Sequence, residues 1–368
     1  MSDSTARDRG LAALPLRDDL RGQTPYGAPQ LDVPYALNTN ENPYPPSQAL
    51  IDDIGRSVTH AALHLNRYPD RDCLELRAAL AAYLGHGLSV EQVWPANGSN
   101  EILAQLLQAF GGSGRSALGF EPSYSMHPRI ADVTGTGWIA VDRGQDLDLP
   151  AAQAVSAVRE LQPAVVFLTR PNNPTGTSMP VDTVAAVADV AEGMVVVDEA
   201  YAEFSAQPSA LTLLPEYPRL VVVRTMSKAF ALAGGRLGYL AASPAVVDAL
   251  QLVRLPYHLA ATSQAAALAA LRHAGETLAS VAQVAADRDK LVLDVTALGL
   301  DVVPSDANFI LIRGFDDAKA VWQHLLDRGV LIRDVGIPGA LRVTIGTTDE
   351  CAIFLAALTE VLEMKEDS

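Results

Sequence analysis

The sequence predicts an α/β fold of two domains, the larger one built on a mostly parallel sheet. Three short apolar runs carry this prediction, at residues 165–168, 194–197 and 220–223. None of them alternates with polar residues, which is typical of parallel strands covered on both faces. Helical patterns alternate with such runs as far as about residue 279, as in a doubly wound sheet. With 368 residues and 49% hydrophobic content, the chain can form two substantial cores.

The other elements are predicted from periodicity and from turn residues. Residues 1–24 are polar and charged, and we expect a loose arm with a short helix around residues 11–20. Residues 25–46 are rich in proline and asparagine, which favours an extended segment. The alanine-rich stretch 259–291 is helical in period, with a break near Gly275. Further helices are predicted at 48–57, 74–84, 101–109, 152–161, 181–190, 318–328 and 350–364, and strands of a smaller α+β domain at 300–303, 309–312 and 342–345.

Composition excludes several classes of function. The 27 basic and 43 acidic residues give a net charge of −16, which argues against nucleic acid and anionic membranes as partners. No apolar run approaches membrane-spanning length, and the N-terminus lacks the apolar region of a signal peptide. Cys73 and Cys351 fit neither a disulfide framework nor a metal site, so we expect reduced thiols in a cytoplasmic protein without a metal.

Lys228 is the candidate catalytic residue. It follows the predicted strand at 220–223, within the segment TMSKAF (225–230). A lysine just past a buried strand, beside hydroxyls and an arginine, can form an imine with an aldehyde cofactor whose phosphate the neighbours hold. Alone, a Ser-Lys pair is a weak signal, because most lysines are solvated surface residues.

Three further motifs strengthen this signal. The segment RPNNPTG (170–176) follows one predicted strand, DEAY (198–201) follows another, and NGSN (97–100) opens an amphipathic helix. Because open α/β sheets bind ligands at the carboxyl ends of their strands, we expect these polar residues to meet near Lys228. Each motif alone is ordinary loop chemistry, but together they indicate a site for pyridoxal phosphate.

The chemistry of that cofactor gives each candidate around its ring a role. Asp198 would pair with the protonated pyridine nitrogen and keep the ring an electron sink. Tyr201 and Asn173 would hydrogen-bond the phenolic oxygen and so lower the proton affinity of the imine. Tyr124 would stack on one face of the ring, although a core tyrosine explains its spacing equally well.

The cofactor's phosphate would bind at a helix N-terminus. Gly98, Ser99 and Asn100 offer backbone N–H groups there, and such groups form a ready anion site. Hydroxyl and guanidinium donors complete the site through charge-assisted hydrogen bonds. The residues that would supply them are Thr225, Ser227 and Arg236.

With these motifs, the chain resembles the fold-type I pyridoxal-phosphate aminotransferases, and most closely their histidinol-phosphate branch. The resemblance runs from about residue 26 to the C-terminus. It implies a large cofactor-binding domain at 40–279 with a mostly parallel seven-stranded sheet, a small α+β domain at 280–368, and an N-terminal arm at 1–39 that joins the small domain. Its further markers are LNTNENPY (37–44), RYPD (67–70), ANF (307–309) and LRVT (341–344).

The resemblance also implies a reaction. It is the exchange of an amino group between L-histidinol phosphate and 2-oxoglutarate, in L-histidine biosynthesis, by a cytoplasmic homodimer. Arg342, with Asn173, would clamp the substrate's phosphate or α-carboxylate, and Arg333 would contact further phosphate oxygens. The resemblance places Tyr26 and Asn42 around the substrate. Tyr257 would line the substrate pocket of the neighbouring subunit, and Tyr68 would reach the cofactor phosphate of that subunit. For Tyr26 and Tyr257, a core tyrosine is an equally good explanation.

Three alternatives remain. An aromatic amino-acid aminotransferase and a threonine-phosphate decarboxylase would keep the same lysine, aspartate and asparagine. Arg333 with Tyr26 favours a phosphorylated substrate over an aromatic amino acid. A cofactor-sensing regulator would need a DNA-reading module, and the sequence has neither a helix-turn-helix extension nor a basic patch.

Overall fold

The computed structural model describes residues 13–25 and 27–366, and it divides the chain after Asp32 into two units. In the first unit, the expected helix around residues 11–20 is wrong for the part that is described: residues 13–17 are not helical, and a single 3₁₀ turn covers Asp18–Leu20. Pro15 accounts for this, because it removes a backbone donor in the middle of a segment too short to form a stable helix alone.

The second unit contains the helices and the strands. The helices are α1 (Gln48–Ala62), α2 (Leu74–Leu84), α3 (Ser99–Phe110), α4 (Met126–Thr134), α5 (Ala151–Leu161), α6 (Val181–Val190), α7 (Pro244–Val253), α8 (Ala261–Arg272), α9 (Ala274–Ala297), α10 (Ala318–Asp327) and α11 (Thr348–Glu366). The strands are β1 (Tyr35–Ala36), β2 (Val93–Ala96), β3 (Ser116–Glu121), β4 (Gly137–Asp142), β5 (Val165–Thr169), β6 (Met194–Asp198), β7 (Leu220–Thr225), β8 (Gly238–Ala242), β9 (Asp301–Val303), β10 (Phe309–Arg313), β11 (Val330–Leu331) and β12 (Ala340–Thr344).

A seven-stranded sheet of order β2-β8-β7-β6-β5-β3-β4 forms the centre of this unit, which confirms the predicted fold class. Strands β7, β6, β5, β3 and β4 are parallel to one another, and β8 is antiparallel to both β7 and β2. The six other strands therefore end at the same edge of the sheet. Val166 and Leu168 belong to one apolar core, while Val165 and Phe167 belong to the core on the opposite face. This two-sided burial explains why the runs do not alternate.

Strands from the C-terminal part of the chain form most of two smaller sheets. Strands β12, β10 and β9 form an antiparallel sheet in that order. Strand β1, from the N-terminal segment, pairs in parallel with β11, opposite Val330 and Leu331. The predicted domain boundaries at residues 40 and 280 stay predictions, and helix α9 runs through the second of them.

Periodicity predicted α2 and α6 with their observed bounds, but it did not predict α4, α7, β2, β3, β4 or β8. Helix α4 carries Pro128 in its first turn, where proline is tolerated but masks the helical signal. Strand β4 lies at the edge of the sheet and has exposed and half-buried residues but no buried one, so it is not an apolar block. The break expected near Gly275 occurs at His273, between α8 and α9.

Candidate active site

The predicted polar residues lie at the carboxyl edge of the large sheet. Gly98 follows β2, Asn173 follows β5, Asp198 is the last residue of β6, and Lys228 follows β7. Their strands run in the same direction, so the ends of four strands bring these side chains to one edge. Open α/β sheets bind ligands at such an edge.

The amine of Lys228 is held in a pocket of protein atoms. Its Nζ donates a hydrogen bond to the backbone oxygen of Thr39 over 2.9 Å. Burial, together with the positive charges of Arg342 and Arg236, lowers the pKa of Lys228 to about 8, while Glu41 acts in the opposite direction. A larger fraction of the amine is therefore neutral and nucleophilic near neutral pH than in a solvated lysine.

The hydroxyl of Tyr201 accepts hydrogen bonds from two amides. Asn173 Nδ2 donates to Tyr201 Oη over 3.3 Å, and Asn40 Nδ2 donates to the same atom over 3.0 Å. Arg342 Nη1 donates to Asn173 Oδ1 over 2.5 Å, so the guanidinium is connected to the amide that bonds Tyr201. Sequence reasoning missed Asn40, although it lies in the segment LNTNENPY, because its partners Tyr201 and Thr344 are distant in sequence.

Asp198 is 2% exposed and is held by two neighbours. His127 Nε2 lies 3.2 Å from Asp198 Oδ2, and the backbone N–H of Ala200 donates to Oδ1 over 3.2 Å. The ring of His127 stacks on Phe167 with centroids 4.6 Å apart and stands edge-on to Tyr124 at 5.4 Å. Sequence reasoning missed His127 because its helix, α4, was not predicted.

Gly98 and three residues with donor side chains form a cradle beside the lysine, but the N–H of Gly98, expected to bind the phosphate, instead donates to the carbonyl oxygen of Ala96 over 2.8 Å. Gly98, at the N-cap of α3, has a φ of +83°, and a Cβ there would lie 2.6 Å from Arg236 Nη2. Arg236 Nη1 lies 3.5 Å from Ser227 Oγ, and Thr225 Oγ1 donates to Ser227 Oγ over 2.9 Å. A glycine therefore keeps open the space where a helix N-terminus, two hydroxyls and a guanidinium converge. This donor set fits a phosphate group.

The N-terminus of α3 is also fixed against the sheet. A Cβ at Gly238 would lie 2.1 Å from the backbone nitrogen of Ser99, so only a glycine allows β8 to approach the helix this closely. Asn100 Oδ1 accepts a hydrogen bond from Tyr124 Oη over 3.2 Å. Tyr124 is thus tied to the start of α3 and, through the His127 ring, to the neighbourhood of Asp198.

Arg333 and Arg342 face each other across a short antiparallel bridge. Each donates its backbone N–H to the other's carbonyl oxygen over 2.9 Å. Directly opposed residues in an antiparallel pair project their side chains to the same face. Arg342 is 7% exposed, and its guanidinium donates to Asn173 and to the backbone oxygen of Asn38. Two arginines therefore emerge on one face, next to the asparagine that bonds Tyr201.

The remaining predicted residues are placed differently. Asn42 Nδ2 donates to the backbone oxygen of Ala229 over 3.0 Å, which ties the segment 37–44 to the lysine loop. Tyr68 and Tyr257 stack on each other with ring centroids 4.3 Å apart, and they are 79% and 40% exposed. They lie at the surface of the chain rather than in the buried group around Lys228. Tyr26 lies outside the described residues.

Within residues 13–25 and 27–366, no three His, Cys, Asp or Glu residues are grouped so that they can hold a metal. No helix in these residues is long and apolar enough to cross a membrane. Cys73 and Cys351 are free and buried, and burial raises their pKa values to about 12 and about 11, which keeps both thiols protonated.

Comparison with known proteins gives a consistent result. The family model described as aminotransferase class I and II matches residues 34–358. A histidinol-phosphate aminotransferase of Thermobifida fusca is 63% identical, covering 97% of this chain and 98% of that protein. Another, of Mycolicibacterium smegmatis, is 62% identical and covers 95% of this chain and 94% of that protein.

The same similarity is found among solved structures. The histidinol-phosphate aminotransferase of Sinorhizobium meliloti, solved in complex with pyridoxal-5'-phosphate, superposes with a TM-score of 0.81. The two chains are 25% identical, and the match covers 90% of this chain and 92% of that one. Similarity therefore extends over nearly the whole of both chains.

Proposed function

The chain belongs to the class I and II aminotransferases, and we propose that it transfers the amino group between L-histidinol phosphate and 2-oxoglutarate, in histidine biosynthesis, with pyridoxal 5'-phosphate as cofactor. The observation that carries the choice of substrate is the pair of arginines, Arg333 and Arg342, on one face beside Asn173. Like charges directly opposite each other destabilise a free protein, and a dianionic phosphate would relieve that repulsion.

The residues of the cradle fit the cofactor's phosphate, and Lys228 fits its aldehyde. When bound, the pyridoxal ring withdraws electrons from the Cα of the amino-group donor. Asp198 would hold the proton on the ring nitrogen, because a buried carboxylate stabilises a cation beside it. Tyr201 would donate its hydroxyl proton towards the phenolic oxygen, and Tyr124 would cover one face of the ring.

Lys228 would act twice. Its neutral amine would first hold the cofactor through Nζ, since the lowered pKa leaves that nitrogen a usable nucleophile. When it is free of the cofactor, the same Nζ would take the proton from the substrate's Cα. A base with a pKa of about 8 is well matched to this task near neutral pH.

The arginines would divide the recognition of the substrates. Histidinol phosphate has no carboxylate, so its phosphate would occupy the place of glutamate's α-carboxylate. Arg342, already oriented by Asn173, would hold the anion common to both substrates. Arg333 would supply donors for the additional phosphate oxygens, which an α-carboxylate lacks.

A homodimer and a cytoplasmic location complete the proposal. Two apolar side chains shortly before Tyr257 in the sequence are strongly exposed, Leu252 at 86% and Leu255 at 76%, and burial against a second copy would remove them from water. Tyr68 would then reach the cofactor phosphate of the neighbouring subunit. The two free cysteines support a reducing compartment.

A panel of amino donors tests the substrate choice. Replacing Arg333 by Ala should lower kcat/KM for histidinol phosphate roughly 30- to 1000-fold, which corresponds to about 2–4 kcal/mol. The kcat/KM values for phenylalanine and tyrosine should fall far less. Replacing Arg342 by Ala should lower kcat/KM for every amino donor. Arg333→Lys keeps the charge without the planar fork and should fall between wild type and Arg333→Ala.

Two other outcomes of the same panel would point elsewhere. Equal losses for phosphorylated and unphosphorylated donors in Arg333→Ala would favour the aromatic amino-acid aminotransferase. Release of carbon dioxide from threonine phosphate, without amino transfer, would favour the decarboxylase.

A further inference from the structure

The hydrogen bonds around Tyr201 assign a role to Asn40. We propose that Asn40 is a positioning residue that directs the hydroxyl proton of Tyr201 towards the cofactor ring, an inference that rests on the cofactor site proposed above. Asn40 is 1% exposed and has a φ of 55°, a left-handed conformation that asparagine adopts more readily than most residues. Its amide lies 3.0 Å from Tyr201 Oη, 161 positions away in sequence.

The orientation of the Asn40 amide follows from Thr344. The backbone N–H of Asn40 can only donate, and it donates to Thr344 Oγ1 over 2.9 Å. The hydroxyl of Thr344 in turn donates to Asn40 Oδ1 over 3.1 Å. Since Oδ1 is the acceptor for Thr344, the atom that faces Tyr201 is Nδ2, which can only donate.

Arg342 determines the orientation of the second amide in the same way. A guanidinium has no acceptor, so the atom of Asn173 that faces Arg342 must be Oδ1. Asn173 therefore presents Nδ2 to Tyr201, at 3.3 Å. Both amides donate to one phenolic oxygen.

A phenolic oxygen that accepts two hydrogen bonds can make a further one only by donating its own proton. Tyr201 is thereby kept as a donor and cannot turn to accept a bond from the ring's phenolic oxygen. Hydrogen bonds in a chain polarise one another, so the two amides also make the Tyr201 hydroxyl a stronger donor. Towards a bound pyridoxal ring, a stronger donor at Tyr201 would stabilise negative charge on the phenolic oxygen and so lower the proton affinity of the nitrogen at Lys228.

The residues that orient the two amides lie on one strand. Arg342 and Thr344 are two positions apart in β12, so their side chains project to the same face of the strand. The backbone of Asn40 is held there as well, because Asn308 Nδ2 donates to its carbonyl oxygen over 3.1 Å. The strand that would hold the substrate's anion through Arg342 thus also holds the group that orients Tyr201.

The test is a pH titration of the visible absorbance of the holoenzyme. Asn40→Gly removes the amide at a φ that glycine accepts, so the backbone is not strained. The midpoint of the titration should move up by roughly 0.5 pH or more, since part of one hydrogen bond's effect is lost. Asn40→Asp should move it further, because a carboxylate would attract the Tyr201 proton away from the ring.

A double-mutant cycle separates this role from a general loosening of the site. In a Tyr201→Phe background, Asn40→Gly should cause no further shift of the midpoint. An equal shift in both backgrounds, or no shift in either, would overturn the inference. If Asn40→Gly does not fold, Thr344→Val replaces it in the cycle, since it frees the Asn40 amide to rotate. A wild-type protein with no absorbance band that depends on Lys228 would contradict the proposed cofactor site instead.

Discussion

The cofactor-facing group and the peripheral tyrosines differ in burial and in how the chain supports them. The first group comprises Asp198, Tyr201 and Lys228, which follow or end strands of the large sheet; Asp198 is 2% and Tyr201 4% exposed. The second comprises Tyr68 and Tyr257, which are 79% and 40% exposed and contact each other. A single chain therefore completes the first group, whereas the second acquires its proposed role only against another chain.

This difference implies a ranking of effects. Buried polar groups act in a low dielectric and leave partners unsatisfied when they are removed, so their substitutions are costly. Exposed side chains at a proposed subunit interface contribute one contact each. The predictions below run from the first group to the second.

Lys228→Ala should abolish turnover, which is the largest effect expected. The amine that would hold the cofactor and move the proton is removed, but the donors of the cradle remain. Cofactor should therefore still bind without a covalent link. Borohydride reduction followed by peptide mapping should label Lys228 in the wild type and give no label in the variant.

Lys290→Ala is the matched control for this experiment. Lys290 is 69% exposed and pairs with Asp294. The Lys290→Ala variant should be active and labelled at Lys228, like the wild type. A label at another lysine, or residual turnover in Lys228→Ala, would show that the catalytic amine lies elsewhere.

Asp198→Asn should bind cofactor yet lose roughly 10²- to 10³-fold in kcat. The amide keeps the shape and the contact with His127, but it cannot balance a charge on the ring nitrogen. Steady-state kinetics check the loss of kcat, and the cofactor content of the purified variant checks that cofactor still binds. Asp294→Asn, at the exposed ion pair, is the control, and near wild-type kcat in Asp198→Asn would exclude Asp198 as the ring's partner.

The sequence was informative where function follows a strand. Unalternating apolar runs located three central strands, and the polar residues just beyond them, including Lys228 and Asp198, lie at one edge of the sheet. This works because two-sided burial leaves a clear pattern, and parallel strands bring their ends together.

The sequence was uninformative where function depends on contacts between residues far apart in the chain. Asn40 acts through Tyr201 and Thr344, which lie 161 and 304 positions away, and local periodicity cannot show such pairs. His127 was missed with its helix, whose first turn contains a proline. For Tyr68 and Tyr257 the proposed partner is another chain, and no pattern in one sequence indicates how two copies meet.

The pH dependence of cofactor capture sharpens the comparison further. Attack requires the neutral amine, and the pKa of Lys228 is lowered to about 8 from its ordinary 10.5. The capture rate of apoprotein should therefore rise about tenfold for each unit of pH below 8 and level off above it. Stopped-flow absorbance measures this profile. Arg342→Gln removes a positive charge that lowers the pKa, so its profile should shift to higher pH; a rise that continues to pH 10 in the wild type would mean that Lys228 is solvated.

The smallest effect is expected at the stacked tyrosines. Tyr68→Phe keeps the ring and its stacking on Tyr257 but removes the hydroxyl proposed to reach the neighbour's phosphate. Cofactor affinity should fall by roughly tenfold, the effect of losing one hydrogen bond to a charged group. Tyr257→Phe is the matched control, because it preserves the same stack and its proposed contact is with substrate. Cofactor affinity should be unchanged in that variant, while KM for histidinol phosphate rises. Equal losses of cofactor affinity in both variants would reduce the pair to a structural contact, and full affinity in a monomer isolated by sedimentation would remove the need for a second chain.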